Sequence, residues 1–193
     1  MTTTSMMFQR IGAAALCLGF AACSDDPQSH SAPVGIVLSV KGKEVVAGKI
    51  VSDKSINTES GNPFGAFVSA AQKAIGKAPS RIELSALTLT VSEGAAGAAK
   101  LGEIFDGACK VNFVMNSSNT VHQASTRTMA AADGVGPVSF TADFDTAGLP
   151  EADAAAFLGG SFKVALDCGA TAAFASSSAD AKLTATMTFA AYE

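Results

Sequence analysis

The residues of this chain able to do chemistry are four cysteines, two histidines and a short run of carboxylates. Cys109 shares the parity of Val111, Phe113 and Met115, and Cys168 that of Phe162, Val164 and Leu166. Alternation of this kind points both thiols at a core. Neither belongs to a Cys-x-x-Cys pair, so the pattern does not suggest thiol-redox catalysis. Nucleophilic catalysis needs a base beside the nucleophile. His30 lies in a short polar stretch, and His122 stands in a weak strand pattern beside Gln123, Ser125 and Thr126, where it reads as a surface residue. Asp143, Asp145, Glu151 and Asp153 place four carboxylates within eleven residues, a density that can invite Ca²⁺. The EF-hand spacing is missing, however, and the alternation of Phe140, Ala142 and Phe144 sends Asp143 and Asp145 to solvent. Asp153 suits the first turn of a helix, where its charge complements the macrodipole. The expectation is no metal site, with that quartet as the one weak calcium candidate. No G-x-S-x-G, Walker loop, dinucleotide fingerprint or His/Cys zinc spacing occurs, so the sequence assigns no catalytic residue and no cofactor.

Strands must position these residues. Val138, Phe140, Ala142 and Phe144 alternate with polar neighbours, as do Phe162 to Cys168 and Leu183, Ala185, Met187 and Phe189. Each run puts one face on a core and leaves a Thr-rich face in water, the mark of antiparallel sheets. Val111 to Met115 predicts a further strand and Thr120 to Ala131 a weaker one. Gly35 to Val40 and Val45 to Val51 read as an opening hairpin around Lys41-Gly42-Lys43. In the Arg81 to Ser92 stretch, Ile82, Leu84 and Ala86 share one phase and Leu87, Leu89 and Val91 take the other. A one-residue slip flips every side chain, so a β-bulge or a change of sheet is expected near Ala86. Two helices interrupt. Asn62-Pro63 is an N-cap and N1 pair, Phe64, Phe67, Val68, Ala71 and Ile75 share a face, and Gly76 stops the helix. Pro150 to Leu158 is the second. The expected fold is mainly β: an antiparallel β-sandwich, immunoglobulin-like or related, of about eight strands with two short helices.

Composition supports a folded domain. Hydrophobic residues make up 48% of the 193 and charged residues 16%, enough to bury a core. There is no Trp and one Tyr, so the 12 Phe residues must supply most of its bulk. All 17 acidic residues and 12 of the 13 basic ones follow Cys23, which leaves residues 24–193 at a net −5. That balance lacks the basic footprint of a nucleic-acid binder and excludes nucleic acid as a partner.

The first 23 residues differ in kind. Arg10 precedes an apolar run from Ile11 to Phe20, too short for a bilayer span but right for the apolar region of an export signal. The run ends in Phe20-Ala21-Ala22-Cys23, which resembles the lipobox of bacterial lipoproteins. The resemblance covers this segment only. It implies cleavage before Cys23 and acylation of that cysteine with palmitate-type chains, each buried methylene adding about 0.8 kcal/mol of membrane affinity. Cys17, within the apolar run, is the poorer candidate. Ser24 follows where an aspartate would imply inner-membrane retention, so the resemblance favours the outer membrane of the cell envelope over the inner.

With Cys17 in the signal and Cys23 acylated, Cys109 and Cys168 remain, and an even count in an oxidising periplasm predicts a disulfide between them. The expected organisation is a signal peptide at 1–22, an acylated Cys and flexible tether at 23–33, and one domain at 34–193. The leading functional expectation is a non-enzymatic structural or binding module of the envelope, with the membrane as partner through its anchor and an envelope protein as a second. The alternative is a carrier of a lipid or other apolar ligand, with Phe64, Phe67, Val68, Ala71 and Ile75 forming a lid over a cavity. An enzyme is the third. A void in the core would separate carrier from module, because native interiors hold few.

Overall fold

The structure, a computed structural model, describes residues 28–56 and 61–193. Cys17, Cys23 and the export signal lie outside the described residues. The described chain is mainly β, with nine antiparallel strands: β1 (Ser29–Lys41), β2 (Lys49–Ile56), β3 (Arg81–Gly94), β4 (Phe105–Met115), β5 (Val121–Met129), β6 (Val138–Ala142), β7 (Phe144–Asp145), β8 (Phe162–Ala170) and β9 (Asp180–Tyr192). Helices α1 (Pro63–Ile75) and α3 (Glu151–Leu158) are the two expected from the sequence. The single turns α2 (Leu101–Ile104) and α4 (Ala172–Ala175) are additional. Among the described residues, no helix is long and apolar enough to cross a membrane.

The strands follow the order β1-β9-β3-β6-β5-β4-β8-β2, with the two-residue β7 paired beside β3. The long strands β1, β9 and β3 form one half and β4, β8 and β2 the other. β6 joins them: Leu87 and Thr88 of β3 pair with Phe140 and Ser139, while Ser125 and Thr126 of β5 pair with Ala142 and Thr141. The halves are therefore one continuous sheet, curved so that its faces meet across a core. Phe189 from β9 lies 6.1 Å, centroid to centroid, from Phe113 of β4. At the free ends of the path β1 and β2 come together without a ladder, tied by one bond from the Ser52 hydroxyl to the Ser39 carbonyl at 2.6 Å. The sheet thus forms a barrel that is nearly closed, with a seam between β1 and β2.

That seam corrects the hairpin reading of residues 35–51. β1 pairs with β9 along its whole length, Ser29 with Tyr192 through Lys41 with Asp180, and β2 pairs with β8. The cause sits in the connection. Gly42 opens a 3₁₀ turn, its N–H donates to the Ala179 carbonyl at 2.9 Å, and an added Cβ would lie 2.3 Å from the Phe174 carbonyl oxygen. The chain is held against the α4–β9 connection, where a close turn back onto β1 is out of reach. β1 also begins at Ser29, so Ser29–Pro33, expected in the tether, belong to the sheet.

The phase change in β3 is resolved as anticipated. Register with β9 shifts between Leu84 and Ala86, and again between Val91 and Glu93. The extra residue in each case is a serine, and each hydroxyl donates to the opposite strand: Ser85 to the Thr188 carbonyl at 3.0 Å, Ser92 to the Lys182 carbonyl at 3.1 Å. Both phases of β3 then point inward, with Ile82, Leu84, Leu87, Leu89 and Val91 all buried.

Two helices plug one end of the barrel. The Asn62 side chain accepts from the Phe64 N–H at 2.9 Å, Pro63 sits at N1, and α1 stops at Gly76 with φ 85°. Phe64, Phe67, Ala71 and Ile75 are buried, and Val68 is partly buried against the core. α3 contributes Phe157. Around it the aromatic side chains interlock, Phe157 stacking on Phe162 at 4.2 Å and meeting Phe144 at 4.7 Å, Phe113 at 5.0 Å and Phe64 edge-on at 5.5 Å. Edge-to-face and offset pairs of this kind contribute about 0.5–1.5 kcal/mol each beyond area burial.

Candidate functional site

Cys109 and Cys168 stand directly opposite each other on β4 and β8, are fully buried and are disulfide-bonded. The bond lies beside a bulge. Register between β4 and β8 jumps from Phe105 to Cys109, Gly107 takes φ 67°, and the Asp106 carbonyl folds in over Gly169. A Cβ on Gly169 would fall 2.0 Å from that oxygen, so glycine is required there. The disulfide clamps the point at which the two longest strands of this half would otherwise part.

The other chemistry-bearing residues meet at the plugged end of the barrel. His122 pairs with Phe113, whose side chain is in the core, so His122 points into the barrel mouth. An irregularity in the β4–β5 register makes this possible: Asn112 faces Gln123 and Val111 faces Ser125, which leaves Ala124 as an extra residue. Ala124 and Ser125 are consequently both buried. His122 Nε2 lies 2.8 Å from Asp153 Oδ2, and the Ser118 hydroxyl donates to Asp153 Oδ1 at 2.9 Å. Ser118 in turn accepts from the Thr120 N–H at 3.2 Å. Asp153, in the first turn of α3, is only 4% exposed. Its carboxyl is held below the ordinary value of 3.8, first by the hydrogen bond to His122 and then, against the opposing effect of burial, by that from Ser118.

This placement corrects two readings. His122 is not a free surface residue, and Asp153 does more than complement a helix dipole. The carboxylate sits between imidazole and hydroxyl, so the serine proton is directed at Asp153 and not at the histidine. A nucleophile–base relay needs the opposite order. The arrangement is a three-way tie between β5, the β4–β5 turn and α3.

The quartet of carboxylates is dispersed. Asp145 receives a two-pronged contact from Arg81, which also reaches Glu83 at 3.0 Å and lies 4.7 Å above the Tyr192 ring. The hydrogen bond from Arg81 pulls the Asp145 carboxyl below its usual range. Asp143 and Glu151 are exposed. Among the described residues, no three His, Cys, Asp or Glu side chains converge to hold a metal ion. An open groove of about 390 Å³ runs past Val121, His122, Gln123, Asp143, Asp145 and Leu149. His30, expected in the tether, is in β1 with its ring 6.0 Å from that of Phe67.

The interior was the expected discriminator between carrier and module. The apolar space lined by Val34, Ile36, Ile56, Phe64, Phe162, Val164, Met187 and Phe189 has no room for a water molecule. α1 presents its apolar face to this packed core, with Phe64 5.0 Å from Phe162 and 5.4 Å from Phe189.

Neither a protein-family model nor a curated protein matches the sequence. Among solved structures, a chain of Desmodium yellow mottle tymovirus is 13% identical, with a TM-score of 0.36, over 100% of this chain and 93% of that one. At that level the similarity carries no argument about this protein, and its fold rests on its own strand order and core.

Proposed function

We propose that the protein is an envelope lipoprotein, anchored through Cys23 and displaying a non-enzymatic structural or binding module, at the outer membrane in preference to the inner. The anchor reading rests on Phe20-Ala21-Ala22-Cys23 and the apolar run before it. The buried Cys109–Cys168 bond is consistent with an oxidising compartment outside the cytoplasm. In this reading the two curved halves serve as a sandwich-related scaffold, related to immunoglobulin-like domains in layering and not in strand order.

The observation that favours a module over a carrier is the filled interior. A ligand-bearing core needs space, and here six phenylalanines occupy the position where a lid would cover a cavity. The Asp153 tie acts as a structural anchor for α3, without a reacting group.

Two mass measurements test the proposal. The mature protein from bacterial membranes should begin at an acylated Cys23, and Cys23→Ala should remove both the acyl mass and the cleavage before residue 23. Native mass spectrometry of the chain from Ser24 onward, exported without its anchor, should give the apo mass, two hydrogens below the reduced value. Extra mass released on denaturation would replace the module with the carrier.

A further inference from the structure

The folded domain starts closer to Cys23 than the sequence suggested. β1 is in the sheet from Ser29, and the carbonyl of Gln28 already accepts from the Glu193 N–H at 3.2 Å. Five residues, Ser24 to Gln28, therefore carry the chain from Cys23 to the fold. At about 3.3–3.6 Å per residue they reach at most about 18 Å, whatever their conformation. β1 then runs 13 residues away from that point, roughly 40 Å at the usual strand rise. One end of the barrel is leashed and the other is not.

Antiparallel alternation decides what the leashed end carries. With the start of β1 lie the end of β9, the start of β3 and the loop after α1: Ser29 pairs with Tyr192, Tyr192 with Arg81, and Ser80 N–H donates to the Tyr192 carbonyl. The carboxylates that these elements and the neighbouring β7 present are each paired with a cation, although Arg81 serves two of them. Glu193 meets Lys77 at 2.6 Å, and Glu83 and Asp145 share Arg81. Arg81 lies over Tyr192, and both are partly exposed. Tyrosine and arginine are residues that settle at a membrane–water boundary, apolar body inward and polar tip in the headgroups. From residue 28 onward the chain carries 15 acidic and 12 basic residues, a net −3, and the link adds Asp25 and Asp26.

We infer that the domain docks end-on against a lipid surface through the Ser80–Arg81, Tyr192–Glu193 and Lys77 end of the barrel. The opposite end, at Lys43 and the start of β9, points away from the bilayer and is the face offered to partners. The inference rests on the anchoring of Cys23 proposed above.

The test uses the full acylated protein in vesicles of phosphatidylethanolamine and phosphatidylglycerol. A fluorophore is placed at Ala78→Cys or at Lys43→Cys, both exposed positions at opposite ends, and a quencher is carried on the lipid headgroup. Quenching at position 78 should exceed that at 43 several-fold. A flexible insert of a dozen or so Gly/Ser residues between Pro27 and Gln28, more than twice the length of the natural link, should erase most of the difference. Equal quenching at both positions, in protein whose Cys23 peptide carries its acyl mass, overturns the docking and leaves the anchor intact. A Cys23 peptide without acyl mass, in protein that fails to join the vesicles, removes the anchoring reading and the docking together.

Discussion

The carboxylate of Asp153 shows how one buried charge can organise an element. It is nearly sealed from solvent yet ionised, because His122 and Ser118 supply the hydrogen bonds that water would. Its folded-state carboxyl titrates below the ordinary value of 3.8. A depressed carboxyl stabilises the fold fully above that ordinary value, and the contribution is lost as pH falls through the folded value. Asp153→Ala should therefore be less stable than the parent at neutral pH, and the gap should narrow as the pH drops below the ordinary carboxylate range. Urea midpoints measured from neutral to acid pH would show it; a gap that stays constant into acid would mean the carboxylate's charge is immaterial. The pair was hidden in the sequence because His122 and Asp153 are 31 residues apart. The extra Ala124, which turns His122 inward, breaks an alternation too weak to reveal its own fault.

At the level of elements, the disulfide and the bulge beside it hold β4 to β8. Replacing both Cys109 and Cys168 by serine frees a loop of 59 residues. On the chain-entropy model this lowers stability by up to about 4 kcal/mol. A denaturant midpoint unchanged by the double substitution would show that the ladder alone fixes this corner. Gly169→Ala should also destabilise, by about 1–3 kcal/mol or more, since backbone must move to admit the methyl group. A thermal melt reads it, and an unshifted Tm would mean the Asp106 bulge yields freely. Much of this layer could be read in advance. Strict alternation in Phe162–Cys168 and Leu183–Phe189 located two strands, the parity of Cys109 with Val111 to Met115 and of Cys168 with Phe162 to Leu166 aimed both thiols inward, and the phase slip at Ala86 announced a bulge. Partner choice was not legible. Gly42 decides where β1 and β2 go by packing against Phe174 and Ser177, carbonyls far away in the chain. A turn signal such as Lys41-Gly42-Lys43 looks the same whether or not a hairpin follows.

For the whole molecule, the filled core sets what the barrel can and cannot admit. Phe64 touches Phe67, Phe157, Phe162 and Phe189 at once. Phe64→Ala should cost about 3–5 kcal/mol and leave an apolar void. The variant, unlike the parent, should then take up xenon or benzene, as dry engineered cavities do. Uptake by the parent protein would reveal space that the packed structure lacks, and would favour the carrier. The seam between β1 and β2 bears on association. Each step along the strand order is antiparallel, and eight strands lie between seam and seam, so the two lips also run in opposite directions. An intruding strand can oppose only one lip and must lie parallel to the other, where pairing is somewhat weaker. An even-stranded wall thus discourages invasion of its own gap: the parity of the fold guards an edge that a single Ser52–Ser39 bond leaves open.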